Sequence, residues 1–205
     1  MSRGRATSPE QDDRREQVVR ATCRVIARDG LDRASLRAIA QELGSTTGVL
    51  THYFRDKDAL LAFVLEAIID QLELGRLDLS HAEPGVSDVE RALKGALPQD
   101  EESETWWRVW LAFTLAALSN ERQSLRHRQL YARLRQVWTD LFSNLKSRAL
   151  IAGGVDPAVE ADLLLCLVDG VGVQALISPD VFTPDHQIAI IRAHLGRLTI
   201  AEGPH

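Results

Sequence analysis

Residues 30–61 read GLDRASLRAIAQELGSTTGVLTHYFRDKDALL, and this stretch decides how the amino-terminal part of the chain folds. Ser35, a preferred N-cap residue, precedes the apolar-periodic run Leu36–Leu43. Gly44 ends that run, and after a three-residue link a second short run covers Thr47–Tyr53. The spacing predicts two short helices joined by a tight turn, which is a helix-turn-helix.

Helical spacing continues on both sides of this unit, and no stretch alternates apolar and polar residues as a strand does. The other predicted helices cover residues 14–29, 57–77, 89–97, 105–119, 124–151, 157–177 and 184–199. We therefore expect an all-α protein of about nine helices. It divides into a disordered arm over residues 1–13, a helix-turn-helix domain over 14–56 and a larger helical domain over 57–205.

The charge is distributed unevenly, although the net charge of −5 argues at first against a polyanionic partner. Residues 14–57 hold nine Lys and Arg against five Asp and Glu, whereas residues 58–205 hold 13 against 21. A basic module is thus joined to an acidic body. This is the pattern expected when one end of a protein approaches nucleic acid.

Several classes of protein are disfavoured by what the sequence lacks. The longest apolar runs, such as Leu163–Val168, are far shorter than a membrane span, and the first residues lack a signal peptide's apolar core, so we expect a cytoplasmic protein. Cys23 and Cys166 lie far apart, which argues against a disulfide scaffold and a zinc site. No nucleophile elbow, metalloprotease motif or P-loop occurs, so we expect no catalysis, metal or cofactor.

A helix-turn-helix reads DNA by placing its second helix in the major groove, with its amino-terminal residues nearest the base edges. Hydroxyls, polar tips, cations and a glycine that permits close approach are suitable there. The candidates are Arg37, Thr46, Thr47, Gly48, Thr51, His52, Tyr53 and Lys57. On spacing alone, two short core helices remain an equal alternative.

Gly30–Leu61 closely resembles the DNA-binding signature of the TetR family of repressors. The shared features are a Ser/Thr-capped helix, a glycine turn, an S/T-x-G recognition helix, a Tyr-Phe pair and a downstream Lys. The resemblance implies DNA contacts from Ser35, Thr46, Thr47, Gly48, Thr51, His52, Tyr53 and Lys57. Two positions depart from the pattern: Ser45 replaces an apolar turn residue, which weakens turn packing, and Thr51 replaces a Tyr.

The carboxy-terminal part resembles a subgroup of the same family, the choline-responsive BetI-like repressors. The segments are WWRVWLAF over 106–113, ADLLLCLVDGVGVQAL over 161–176 and FTPDHQIAIIRAHL over 182–195. The resemblance implies a homodimeric repressor that binds double-stranded operator DNA at the nucleoid and is released by a small-molecule effector. We expect the helix Lys57–Leu77 to connect effector and DNA sites. The alternatives are a helical small-molecule-binding or interaction protein without operator specificity and, less favoured, an all-α enzyme.

A ligand pocket is expected around the tryptophan-rich helix, because aromatic faces attract flat apolar or cationic ligands. Asp169 is a carboxylate inside an apolar run and needs a partner if it is buried. The candidate ligand residues are Trp106, Trp110, Phe113, Thr114, Tyr131, Cys166 and Asp169, with His127, Trp138 and Gln174 as further possibilities. Ordinary core packing is the alternative for each aromatic residue.

A dimer interface is expected on the last two long helices, where Gly170 and Gly172 suggest a close approach of backbones. The candidate interface residues are Gly170, Val173, Leu176, Ile188, Ile191 and Leu195. The alternative is that both helices pack inside one subunit.

Overall fold

A computed structural model describes residues 9–77 and 85–199, and within these ranges the protein forms nine helices and no strand. They are α1 (Pro9–Asp29), α2 (Leu36–Glu42), α3 (Thr47–Tyr53), α4 (Lys57–Leu77), α5 (Val86–Gly95), α6 (Glu101–Ser119), α7 (Glu121–Ser147), α8 (Pro157–Ile177) and α9 (Pro184–Leu195). The all-α prediction is confirmed. α1 begins at Pro9 rather than at residue 14, so the end of the expected disordered arm is helical, and the rest of that arm lies outside the described residues.

Local chemistry sets the ends of the first helices. Gly30 and Gly44 follow α1 and α2 with φ of +84° and +61°, a conformation that side chains with a Cβ disfavour. The Ser35 Oγ accepts a 3.1 Å hydrogen bond from the Ala38 N–H and so caps α2. These groups fix where α1 and α2 end and where α2 begins.

The later helices also begin at side-chain caps. Asp100, Asn120, Asp156 and Thr183 accept hydrogen bonds from backbone N–H groups in the first turns of α6, α7, α8 and α9, respectively. Each cap satisfies a donor that has no partner within its helix.

Two apolar clusters form the interior. The first joins buried residues of α1–α4, among them Val25, Ile39 and Leu50, to buried residues of α6 and α7. The second joins α5, α7, α8 and α9. Leu165 and Val168 of α8 pack against both clusters. The core of the amino-terminal helices therefore continues into the body, and the domain boundary at residue 56 remains a prediction.

No helix in the described part of the chain is both long enough and apolar enough to cross a membrane.

Candidate DNA-reading surface and effector cavity

α3 presents an open surface on one side and is anchored on the other. Leu50 is fully buried beneath it, whereas Thr47, Gly48 and Thr51 are exposed. Tyr53 is 52% exposed, and its ring packs edge-on against His52 at 5.3 Å. The predicted DNA residues Ser35, Arg37 and Thr46 are exposed too. We refer to residues 35–53 on this side as the reading surface.

Some of these side chains already have partners within the subunit. The Thr51 hydroxyl donates to the Gly48 carbonyl over 3.1 Å, and Ser35 caps α2. Thr46 is the N-cap residue of α3 without a side-chain capping bond, so its hydroxyl is available. The hydroxyls of Thr46 and Thr47, at the start of α3, therefore remain available to bind a partner.

Lys57 is half-buried, and its ammonium is engaged. Nζ donates to the carbonyls of Leu31 and Asp32 over 2.8 and 2.9 Å. The first residue of α4 is thereby bound to the turn between α1 and α2. Of the three ammonium hydrogens, one remains for a phosphate.

Ion pairs brace the reading surface against α1. Glu42 of α2 accepts from Arg24 Nε at 2.7 Å and from Arg28 Nη1 at 3.0 Å. These hydrogen bonds lower the pKa of the Glu42 carboxyl. Ser45, which departs from the family pattern, has its Oγ 3.4 Å from Arg14 Nη2, so this polar turn residue has a partner on α1.

A cavity of about 170 Å³ lies between α4, α5, α6, α7 and α8. Its aromatic walls are Trp106, Trp107, Trp110, Tyr131 and Trp138. Its aliphatic walls include Ile68, Leu93, Leu97, Leu134, Leu164, Leu165 and Val168. A carboxylate, Asp169, also faces it, and we refer to this space as the effector cavity.

Asp169 is the charged group of the cavity. The Tyr131 hydroxyl donates a hydrogen bond to its Oδ2, and the Trp110 side chain donates to it as well. Burial raises the pKa of Asp169 above its usual value, whereas these hydrogen bonds lower it. Burial and the same hydrogen bond raise the pKa of Tyr131, which stays a neutral donor. The site thus holds an incompletely compensated negative charge among aromatic rings.

His127 stacks on the rings of Trp110 and Tyr131, the two residues that donate hydrogen bonds to Asp169. Its ring lies 5.2 Å from the Trp110 ring and 4.7 Å from the Tyr131 ring, with interplanar angles of 22° in both cases. Burial lowers the pKa of His127, so its neutral form is favoured. Thr114 Oγ1 lies 3.1 Å from His127 Nε2, and this contact holds the ring in place.

The expected ligand residues are only partly brought together. Trp106, Trp110, Tyr131 and Asp169 line the cavity, as does Trp138. Three of the expected residues lie elsewhere: Phe113 is buried in the first apolar cluster, Thr114 contacts His127, and Cys166 is exposed on α8. None of these three lines the cavity, because on α6 its wall ends at Trp110, one turn before Phe113 and Thr114, and on α8 Cys166 is exposed to solvent.

Sequence reasoning also missed wall residues. Trp107 lines the cavity although the helical spacing set it on a different face from Trp106 and Trp110. The run WWRVW was the available signal, since three tryptophans within five positions cannot all face one way. The aliphatic walls from α4 and α5 carried no local signal.

The expected dimer residues divide into two groups. Ile188, Ile191 and Leu195 are at most 7% exposed, because α9 packs them into the second apolar cluster of its own subunit. These three side chains therefore belong to the core of the subunit and not to the predicted interface. Leu176 is half-buried, with one side packed against the first cluster, and its place in the interface remains a prediction. Gly170 is exposed and Val173 is half-buried.

The outward side of α8 is largely apolar, with Gln174 as an exposed polar residue in its last turn. Val159, Leu163 and Ile177 are 54%, 51% and 70% exposed, and they recur at helical spacing with Cys166 and Gly170. We refer to this stripe as the α8 face.

Within the described residues, no group of three or more His, Cys, Asp or Glu side chains is arranged to hold a metal ion.

Two family models match the chain. Residues 18–64 match the model of bacterial regulatory proteins of the tetR family, and residues 86–199 match that of the BetI-type transcriptional repressor, C-terminal. The sequence is 30% identical over 199 residues to the HTH-type transcriptional regulator PksA of Bacillus subtilis, covering 94% of this chain and 93% of that protein. It is 32% identical over 173 residues to the regulator BetI of Escherichia coli K12, covering 82% and 85%.

Solved structures share the fold. A transcriptional regulator from Rhodococcus sp. Rha1 superposes with a TM-score of 0.76 at 25% identity, covering 90% of this chain and 95% of that one. A regulator from Saccharomonospora viridis, solved in complex with choline, superposes with a TM-score of 0.80 at 20% identity, covering 93% and 100%.

Proposed function

This chain belongs to the TetR family of ligand-responsive transcriptional regulators, and we propose that it is a homodimeric repressor released from its operator by a small cationic effector. The observation that carries the effector class is the aromatic cavity around Asp169. In this role the protein binds DNA at one site and the effector at another, and it carries out no catalytic step. Such a protein acts at the nucleoid, in the cytoplasm.

We propose that α3 enters the major groove of the operator. Thr46 and Thr47 stand at its amino-terminal end with hydroxyls free to reach bases or phosphates, and Gly48 allows close approach. Arg37, His52 and Tyr53 flank this end with groups suited to phosphate. In this proposal, Thr47 contributes to the preference for particular DNA sequences, and Arg37 contributes to the affinity for DNA of any sequence.

The effector is a quaternary ammonium compound. Aromatic faces attract such cations, and the Asp169 carboxylate adds an opposite charge without requiring a hydrogen-bond donor on the ligand. A neutral ligand would leave that half-buried carboxylate with only the hydrogen bonds from Tyr131 and Trp110 and no opposite charge. Choline, which is bound in the Saccharomonospora viridis structure, is a member of this class.

Two copies of the chain associate through the α8 face. Its stripe of Val159, Leu163 and Ile177 is exposed in the single subunit, and burying such a stripe against a second copy yields a symmetric helical bundle. Two reading surfaces are then presented to two operator half-sites about one helical turn apart. Gly170 stands on the same side of α8, where a backbone can approach.

The effector signal travels along two helices. Ile68 of α4 lines the cavity, while Lys57 at the start of the same helix holds the turn between α1 and α2. Trp106 of α6 lines the cavity and also a groove formed with Arg15 and Val19 of α1. A ligand that displaces either wall alters the separation of the two reading surfaces.

The deciding experiment measures binding of the purified protein to a fluorescent fragment of its own upstream DNA at two salt concentrations. Choline, tetramethylammonium and neutral apolar compounds of similar size are added in turn. We expect salt-sensitive, sequence-preferring binding that only the cations weaken. Release by neutral compounds alone would contradict the effector class, and equal affinity for every DNA sequence would contradict the operator-specific regulator.

A further inference from the structure

The second glycine of the α8 pair has an unusual neighbour. Gly172 is buried, and a Cβ at this position would lie 2.5 Å from Trp107 Cζ2 and still closer to two other atoms of the same ring. No side chain can be accommodated at that separation unless the indole or the helix moves. Gly170 differs, since a Cβ there would meet nothing within 4 Å.

The Trp107 indole is also held at the nitrogen of its five-membered ring. Its Nε1 donates a 2.9 Å hydrogen bond to the carbonyl of Ala96, which lines the cavity as well. Trp107 is only 7% exposed. The indole nitrogen is therefore bound to the segment after α5, and the six-membered ring packs directly against the backbone of α8 at Gly172.

We propose that Gly172 is the residue that sets the size of the effector cavity, by letting the Trp107 indole withdraw against α8. This inference rests on the proposed function, because it concerns the walls of the same cavity. A methyl group at position 172 would occupy the space that the Trp107 ring now fills. Because α8 packs against both apolar clusters, we expect the ring and not the helix to move: it gives up the hydrogen bond to Ala96 and turns into the cavity, so the space available to the cation shrinks.

The consequence is a change in selectivity by size. A filled cavity excludes a bulky cation more strongly than a small one, and a single methylene in a pocket changes affinity by about tenfold or more. Tetraethylammonium and tetramethylammonium carry the same charge and differ in bulk. Their affinity ratio therefore reports the position of the wall, while their shared charge keeps the attraction to Asp169 alike.

The test compares Gly172→Ala with Gly170→Ala, a matched control two residues away on the same helix. For Gly172→Ala we expect tetraethylammonium to bind about tenfold more weakly relative to tetramethylammonium. Gly170→Ala should leave the ratio unchanged, since its methyl meets open space. Circular dichroism of both variants verifies that they fold, and Gly172→Ala should still bind upstream DNA in the absence of cation. DNA binding is not scored for Gly170→Ala, because Gly170 lies on the α8 face proposed to meet the second copy.

Trp107→Phe provides the reciprocal test, because phenylalanine lacks the outer ring edge that meets Gly172. The single variant should favour tetraethylammonium, and Gly172→Ala/Trp107→Phe should regain the ratio lost in Gly172→Ala. If Gly172→Ala behaves like Gly170→Ala, or if the double variant is no better than Gly172→Ala, the inference is overturned.

An arm without ligand separates this inference from the proposed function. The chain has four tryptophans, and ¹⁵N-labelled indoles give one NMR signal each, which Trp→Phe variants assign. The Trp107 signal should shift in Gly172→Ala and stay in place in Gly170→Ala. A shift combined with no binding of either cation by the natural protein would contradict the effector class and support the role of Gly172. An unmoved signal would overturn that role whatever the cations do.

Discussion

The reading surface and the effector cavity are built from the chain in opposite ways. The reading surface uses residues 35–53, with Lys57 just beyond, and its helices are set by caps, glycine turns and one buried leucine. The cavity takes walls from five helices between Ile68 and Asp169. A sequence motif can therefore specify a binding surface when its residues are local, whereas a cavity depends on contacts between distant elements.

The two regions also differ in how they treat charge. On the reading surface, charged groups are exposed or paired near water, so each contributes little to stability. In the cavity, Asp169 is partly withdrawn from water, and this burial raises its pKa. A ligand with a positive charge therefore has more to gain in the cavity than at the surface.

The largest effect should come from the buried side of α3. Leu50→Ala removes a fully buried side chain and should lower the free energy of unfolding by about 2–5 kcal/mol, with loss of operator binding. Urea unfolding and DNA binding measure both. Leu118→Ala, at a position 82% exposed, is the control and should change neither. If Leu50→Ala also abolishes cation binding in protein that remains folded, the two regions are coupled more tightly than the contrast between them implies.

Asp169→Asn should affect the cavity and spare the reading surface. Loss of the buried charge should weaken cation binding by about tenfold to a hundredfold, because the remaining attraction comes from the aromatic rings alone. Calorimetry with tetramethylammonium measures this, and DNA affinity without cation should be retained. Asp162→Asn is matched to it on α8, since Asp162 is exposed and paired with Arg135. Equal effects of the two variants would argue against Asp169 as the effector's counter-ion.

Acidification should reproduce part of that loss. Because burial raises the pKa of Asp169, the carboxylate is neutralised at a higher pH than an ordinary Asp as the pH falls. Cation affinity should then drop by up to about tenfold per pH unit below that pKa. His127, Tyr131 and Trp110 face the same group, and protonation of His127 would act in the same direction by repelling the cation. Asp169→Asn should flatten most of the profile, and a flat profile in the natural protein would contradict the charge assignment.

Thr47→Ala should produce a smaller and more selective change. Loss of one hydroxyl and one methyl at the start of α3 should cost about 1 kcal/mol on the preferred operator and alter the ranking of operator variants. Binding to a panel of single-base substitutions measures the ranking. Cation affinity should be unchanged, and a uniform loss over all DNA sequences would assign Thr47 to the phosphate backbone.

Lys57→Ala should give the smallest change, in the salt dependence. If the third ammonium hydrogen reaches a phosphate, the slope of log affinity against log salt should fall by about one, equally for all sequences. An unchanged slope with weaker binding would mean that Lys57 acts only through the Leu31 and Asp32 carbonyls. Arg55→Ala tests the neighbouring position, where the side chain is exposed and paired with Asp56.

Most of the fold could be predicted from the sequence, because caps and apolar periodicity act over a few residues. α3 and α4 have the expected bounds, and Ser35 caps α2 as expected. α5 begins at Val86 rather than at residue 89, and α6 at Glu101 rather than at 105, because Asp88 and the Asp100 cap extend helical structure into polar residues. Polar first turns conceal a helix start from an argument based on apolar spacing.

The candidate sites divide in the same way. Thr47 and Gly48 could be placed on an exposed helix end from local spacing alone. Ile188 and Ile191 could not be assigned to the core or to a partner, because an apolar helix face is equally suited to both. Cys166 and Asp169 lie three residues apart on α8, yet only Asp169 reaches the cavity.

The helices, most of their caps, the basic module and the helix-turn-helix follow from the amino-acid sequence alone, because these features depend on neighbours within a few positions. The folded arrangement is needed to see which tryptophans enclose a cavity, that Tyr131 and Trp110 meet Asp169, and that the ring of Trp107 packs on Gly172. Those contacts join residues that are tens of positions apart. They depend on how the packed helices are rotated and spaced relative to one another, and no local sequence pattern encodes that arrangement.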